Sequence, residues 1–407
     1  MTAPSITAAL LCLGAGFLGS SIAGTTSPAT AATPAATGIL TGHLAEGSLY
    51  DQVWSTPLLY KNPANPVLQE LAVQGIIQAQ YAYGSSNHGT YSSGTMPAKD
   101  TWDDADVRRF YFGIKARMFQ SWKFHSLLYL NPDFSPQLYR RIMEAYLTYA
   151  PCDAFNLTVG KAELKFTREQ EVSSREILPF ERSQLLNMFY GGELTGVWIS
   201  GKGIAGGWLY ELGVYGNDRQ DEWTTLDGGA MILPKIGYNY TKLTTFDLAK
   251  AELHYLHNTK PGYKGAIGTS PSYSDCIAIS NDLTKGRFSL ATEFFWGDGA
   301  NGVANAYGIT AMPAWFITDK LQLVTTVQLA GSPGANGICL PLRYEGQVDV
   351  PASDKTGDTY FAGYAGLNYY LYGHKLKVMS GVKYTNLSGG DTTFAGWTWL
   401  LGCRASF

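Results

Sequence analysis

Basic side chains recur at every second residue in several stretches of this chain, and that spacing is the first indication of its chemistry. In 107–119, Arg109, Lys115 and Arg117 fall on one side of a two-residue alternation, and Phe110, Phe112, Ile114, Ala116 and Met118 fall on the other. A helix would scatter both sets around its circumference; a strand between water and lipid sorts them. The same sorting places Lys123, Lys161, Lys165, Lys202, Lys235, Arg287, Lys375, Lys377 and Lys383 opposite apolar residues. With Lys250 and Arg404, fourteen bases lie on the polar faces against five acids, although the whole chain has a net charge of −3. Lys and Arg lining a narrow aqueous passage would concentrate anions and donate charge-assisted hydrogen bonds to phosphate oxygens. Several moderate sites in series allow passage, whereas one tight site would block it.

Other motifs carry less. Gly201-Lys202-Gly203-Ile204-Ala205-Gly206 has the spacing of a dinucleotide fingerprint, but Trp208, Tyr210, Leu212 and Val214 after it alternate as a strand, so no helix N-terminus is available for a pyrophosphate. His254 and His257, with Glu252 nearby, are spaced for a helix and would face opposite sides of a strand, so no metal site is expected. Cys152, Cys276, Cys339 and Cys403 are scattered without ligand spacing, and none of the six histidines sits in a nucleophile motif. No cofactor, metal, nucleic-acid partner or enzymatic activity is expected.

The elements that must present the bases follow from composition. Only 15% of the residues are charged and 13% are aromatic, yet nothing beyond the N-terminal leader is apolar for the ~18 residues that a membrane helix needs. Residues 1–37 read as a signal peptide and processing region, with an uncharged apolar run from Ile6 to about Ala23. Residues 38–66 read as a periplasmic N-terminal segment, with a short plug or helix at the barrel base, and 67–407 as an all-β transmembrane barrel. Alternation predicts about sixteen antiparallel strands, near 71–83, 107–119, 122–130, 141–150, 155–166, 192–202, 207–216, 229–240, 243–257, 274–281, 286–297, 307–317, 320–330, 359–372, 374–387 and 393–407. Short connections (such as 120–121, 282–285 and 318–319) alternate with long ones (such as 84–106, 167–191 and 331–358), as in barrels with periplasmic turns and outer loops. The last strand ends on Trp397, Trp399, Leu401, Cys403, Ala405 and Phe407, an apolar face closing on a terminal aromatic residue.

The third long connection, 167–191, combines Arg168, Arg175 and Arg182 with Glu169, Glu171, Glu176 and Glu181. Its apolar residues Ile177, Leu178, Phe180, Leu185, Leu186 and Met188 need cover, which predicts a loop folded into the pore rather than one spread on the surface. Here the chain resembles a family. LTVGKAELKF at 157–166 and SSREILPFERS at 173–183 resemble the phosphate-selective porin O and P family, as does LYKNPANPVLQEL at 59–71. Its strand motif departs at Ala162-Glu163 and Thr167. The resemblance implies a homotrimer of 16-stranded barrels in the bacterial outer membrane, carrying phosphate or other small anions past a third-loop constriction. Lys161 and Lys165 match the basic strand positions, and Glu181, Arg182 and Ser183 match the loop signature. A less selective, sugar-admitting porin is the alternative if Tyr111, Trp198 and Tyr215 line a stacking track; a barrel-based enzyme or adhesin is a third.

Overall fold

A computed structural model describes residues 37–41, 47–87, 101–133, 135–341, 343–345, 355–390 and 393–407. The expected signal peptide lies, up to residue 36, outside them. Sixteen strands run antiparallel in chain order: β1 (Leu68–Ser86), β2 (Thr101–Met118), β3 (Trp122–Leu130), β4 (Tyr139–Cys152), β5 (Phe155–Glu163), β6 (Glu193–Ile204), β7 (Trp208–Gly216) and β8 (Ala230–Asn239). The second half comprises β9 (Leu248–Asn258), β10 (Tyr273–Lys285), β11 (Phe288–Gly299), β12 (Ala306–Phe316), β13 (Leu321–Gly331), β14 (Thr359–Tyr372), β15 (Leu376–Ser388) and β16 (Phe394–Ser406). Each pairs with its neighbour, and β16 pairs with β1 from Ile76↔Ser406 to Ser86↔Gly396, which closes the sheet on itself.

Closure makes each strand two-faced. Phe112, Ile114, Val197, Val214, Ile279 and Ile309 are exposed on the outside, whereas their neighbours Tyr111, Tyr215 and Ala278 are buried. Trp122 stands 5.1 Å from Tyr149 and Trp208 5.0 Å from Tyr238, aromatic pairs near the short-turn rim. Several boundaries differ from expectation: β1 runs over 68–86 rather than 71–83, β2 begins at Thr101 rather than 107, and β5 ends at Glu163 rather than 166. Thr241–Leu243 form a 3-10 turn, so β9 begins at Leu248 rather than 243. β10 continues through Lys285, which moves its turn from 282–285 to Gly286–Arg287. The glycine-rich 201–206 stretch is a hairpin corner, with positive φ at Gly203, Ala205 and Gly206.

The segment before the barrel caps the rim that carries the short turns. Helix α1 (Leu49–Ser55) starts at a Ser48–Asp51 capping box. Trp54 Nε1 donates to the Ser406 carbonyl at 2.7 Å and Tyr372 donates its hydroxyl to Asp51 at 2.7 Å. A four-residue strand, Leu58–Lys61, pairs with β1 at residues 70–72, below the last β16 partner at Ile76. It occupies an edge that strand stagger would otherwise leave open.

Candidate pore and its constriction

The third loop, 164–192, turns inward and packs on the far wall of the barrel. It contains two short helices, α2 (Arg168–Glu171), capped by Thr167, and α3 (Gln184–Met188), capped by Ser183. Phe166, Ile177, Phe180, Leu185, Leu186, Met188 and Phe189 are buried, each burial worth about 1.5–3 kcal/mol. Glycines on the wall make the sockets. A Cβ at Gly297 would lie 2.4 Å from the Phe189 ring, at Gly308 2.7 Å from Leu185, and at Gly402 2.9 Å from Phe180.

Wall side chains then hold the loop backbone. Lys377 Nζ donates to the Ile177 carbonyl at 2.8 Å, Asn368 to Leu178 at 2.9 Å, Gln78 to Ser174 at 2.9 Å, and Arg404 to Phe180. Arg168 meets Asp282 at 2.7 Å, and its backbone N–H donates to Glu293 at 2.7 Å. Lys235 pairs with Glu171 of the loop and with Glu211 at 3.5 Å. Glu171, Glu252 and His254 converge as closely as the donors of a metal site would. Lys235 and Lys250 already pair with both carboxylates, and His254 is bonded to the Phe166 carbonyl, so the cluster works as a latch on α2. His257 lies on the opposite strand face from His254 and pairs with Asp275 at 2.8 Å.

Because the loop leans on β8–β16 and on Gln74 and Gln78 of β1, space remains mainly against β2–β7. It comprises an outer cavity of about 740 Å³ and an inner one of about 490 Å³. Both are lined by His125, Glu144, Tyr146, Glu163 and Lys165, so these residues form the neck between them. Among the described residues, nine Lys or Arg side chains and six Glu line the outer cavity, a net positive lining. In the inner cavity, Lys115, Arg117, Lys123 and Lys165 face Glu70, Glu144, Glu163 and Glu211, which is balanced. The basic surplus expected of the whole lumen is therefore confined to its outer half, where loop bases and loop carboxylates enter together, whereas strand carboxylates offset the bases of the inner half.

The predicted residues separate into distinct places. Arg109, Lys165, Arg175, Glu181, Arg182 and Lys383 line the outer cavity; Lys115, Arg117 and Lys123 line the inner one. Lys235 and Lys377 line neither and hold the loop instead. Arg287 pairs with Asp319 at 2.5 Å on the periplasmic rim, Lys375 lies 5.1 Å from the Tyr372 ring in the β14–β15 turn, and Lys202 is exposed at the end of β6. Lys161 corrects the sequence reading most clearly. It shares the outward face of Leu157 and Val159, and its ammonium is enclosed by the carbonyls of Gln220, Asp221 and Glu222. The fourth loop folds over that face, so the charge avoids lipid without entering the pore. Of the loop signature, Glu181 faces the channel wall, Arg182 binds Glu163 at 3.2 Å and the loop carbonyls of Glu169 and Val172, and Ser183 caps α3.

The constriction rests on a residue that alternation missed. Gln78 pairs with Arg109 and Ala79 with Val107, so Arg108 is the extra residue of a β-bulge. The bulge turns both arginines inward: Arg108 reaches Glu181 at 3.0 Å and Arg109 at 3.9 Å, while Arg109 also donates to Gln78 at 2.6 Å. Arg140 is likewise skipped by the pairing, and Arg140 and Arg141 lie 4.8 and 5.7 Å from the Tyr129 ring. An arginine doublet inside a membrane strand was the available signal, since strict alternation would put one guanidinium in lipid. The seventh loop adds Arg343, paired with Asp106, and Tyr344, whose hydroxyl accepts from Gln80 at 2.6 Å. A segment expected to be an outer loop thus also enters the mouth.

Burial would raise the Glu181 carboxyl, but Arg108, Arg109, Arg404 and Arg343 together outweigh it and hold it down at about 2. A depressed carboxyl stabilises the folded state above its unfolded value of ~4.3 and loses that contribution as pH falls through the folded value. Single-channel current is therefore expected to stay uniform from neutral pH to about pH 4 and to become larger and noisier as pH approaches 2. Disturbance already well above pH ~4 would mean that another group fixes the loop.

A closed antiparallel barrel with a polar interior, short turns on one rim and a third loop folded into its lumen is a porin of the bacterial outer membrane. The chain belongs to the phosphate-selective porin O and P family, which matches residues 83–388. No curated protein matches it by sequence. Among solved structures, it is similar to an anion-selective porin from Comamonas acidovorans, with a TM-score of 0.55 and 11% identity, covering 83% of this chain and 99% of that one. OprB of Pseudomonas putida gives 0.55 at 12% identity over 82% and 94%. OmpT of Vibrio cholerae gives 0.54 at 10% identity over 83% and 98%. At these identities the likeness concerns the fold.

Proposed function

We propose that the barrel is a passive channel selective for small anions of the phosphate type, working as a homotrimer and catalysing no covalent step. The observation that carries this is the guanidinium group of Arg108, Arg109 and Arg343 around the outer cavity, where cations outnumber carboxylates. A low-dielectric passage lined by an excess of one sign draws in counterions and repels co-ions. Guanidinium forks suit paired phosphate oxygens. Glu181 opposite two of them keeps the site from binding so tightly that it would block. Similarity to OmpT, one of whose solved structures is described as a trimer form, supports the assembly.

The test is the reversal potential in a planar bilayer under a potassium chloride gradient. Chloride should be favoured over potassium, and added phosphate should reduce chloride current. Cation preference would overturn the reading. Anion preference without phosphate inhibition would leave a general anion porin.

A further inference from the structure

The inner cavity has balanced charge, and its polar face is ordered. Arg117 pairs with Lys123 across β2 and β3, Lys123 with Thr148, Thr148 with Thr158, and Thr158 with Trp198 on β6. All five line the cavity, so one row across five strands reads guanidinium, ammonium, hydroxyl, hydroxyl, indole. With strands ~4.8 Å apart, the row spans roughly 19 Å between its outer backbones. The two threonine hydroxyls meet at 2.9 Å, forming one polar patch between the cations and the indole.

The indole is supported from behind. A Cβ at Gly213 would lie 2.5 Å from the Tyr215 ring and one at Gly196 2.4 Å from it, so this ring lies flat on bare backbone. Trp198 stacks on Tyr215 with centroids 5.6 Å apart and planes 29° apart. Tyr146, tilted by 67° at 5.9 Å, bounds the platform on the neck side. Tyr215 is buried while Trp198 is half-buried and lines the cavity, so the indole is the layer offered to a solute.

We propose that this row is a binding site for phosphorylated sugars: the phosphate ester sits at Arg117 and Lys123, the sugar hydroxyls meet Thr148 and Thr158, and the apolar face of the sugar ring lies on Trp198. The phosphate end of this assignment rests on the anion reading above. The carboxylates of the inner cavity each meet another partner, Glu70 with Lys115, Glu144 with His125, Glu163 with Arg182 and Glu211 with Lys235, so among the described residues none forms an ion pair with Arg117 or Lys123. Inorganic phosphate would use one end of the row only; glucose would use the other.

The experiment compares block of chloride current by glucose 6-phosphate, inorganic phosphate and glucose in planar bilayers. Glucose 6-phosphate should block at a concentration roughly tenfold below that of phosphate, equivalent to about 1.4 kcal/mol. Trp198→Ala should erase that difference while phosphate block and chloride preference persist, and Trp198→Phe should retain it. Equal block by the ester and phosphate in the wild type, with chloride preference intact, would overturn the sugar-phosphate site alone. An ester advantage that survives in Trp198→Ala would overturn the platform. Cation preference in potassium chloride, seen before any sugar is added, would instead overturn the anion reading, and the ester site with it.

Discussion

Deleting residues 173–183 is expected to enlarge single-channel conductance roughly twofold or more without preventing barrel assembly, because the excised piece is the obstacle and not part of the strand ladder. The segment holds the acceptors for Lys377, Asn368 and Gln78, the buried Phe180, and Glu181 opposite the arginine doublet. Sixteen strands close by backbone pairing that none of these residues joins. A gentler change tests the same idea from the wall. Gly402→Leu and Gly297→Leu would fill the sockets of Phe180 and Phe189 and should loosen the loop, giving noisier and larger currents. Heat-modifiable migration in detergent would establish that each variant is inserted and assembled. Unchanged conductance in a properly assembled deletion would mean that the narrowest point lies elsewhere, at the neck around His125 and Glu144, which meet at 2.7 Å.

Replacing Arg108 and Arg109 together with glutamine is the second large effect. Each unit charge acts on a monovalent ion ~5 Å away by about 0.8 kcal/mol at the dielectric of water, so removing two disfavours an anion by about 1.7 kcal/mol and favours a cation by as much, and anion over cation preference should fall by roughly a hundredfold or more at low salt. Screening shortens the reach from ~30 Å at 0.01 M to ~3 Å at 1 M, so the shift in reversal potential should shrink as salt rises. The doublet should matter more than Lys115 and Arg117 on the same strand, because these face carboxylates in the balanced inner cavity. Substituting Lys161 should leave selectivity alone, since its ammonium is spent on fourth-loop carbonyls outside the pore. Retained preference in the Arg108–Arg109 double variant would move the selectivity filter to the remaining cations, among them Arg141 and Lys165.

Much of the architecture was legible because the membrane imposes it strand by strand. Each strand must satisfy its backbone and keep charge from lipid, so alternation at 107–119 or 359–372 reports the strand without knowledge of its neighbours. The strands expected at 122–130 and 359–372 match β3 and β14 residue for residue. The 243–257 stretch misled because Thr241–Leu243 continue its polar and apolar sequence through a 3-10 turn.

What alternation cannot report is which inward charges meet water and which meet the loop. Lys377 and Lys165 are both basic and were both assigned to the lumen, yet the third loop covers one and leaves the other at the neck. The sequence by itself determined the barrel, its sixteen strands, the inward third loop and the kinds of side chain in the lumen, because these follow from local periodicity and from the demand that apolar loop residues be covered. Only the tertiary structure decided that Arg108 joins Arg109 through a bulge, that Lys161 faces outward beneath the fourth loop, and that the seventh loop carries Arg343 into the mouth. Those outcomes depend on register between strands and on contacts between residues 59 to 237 positions apart, where the energy of a single charge is set by what folds over it.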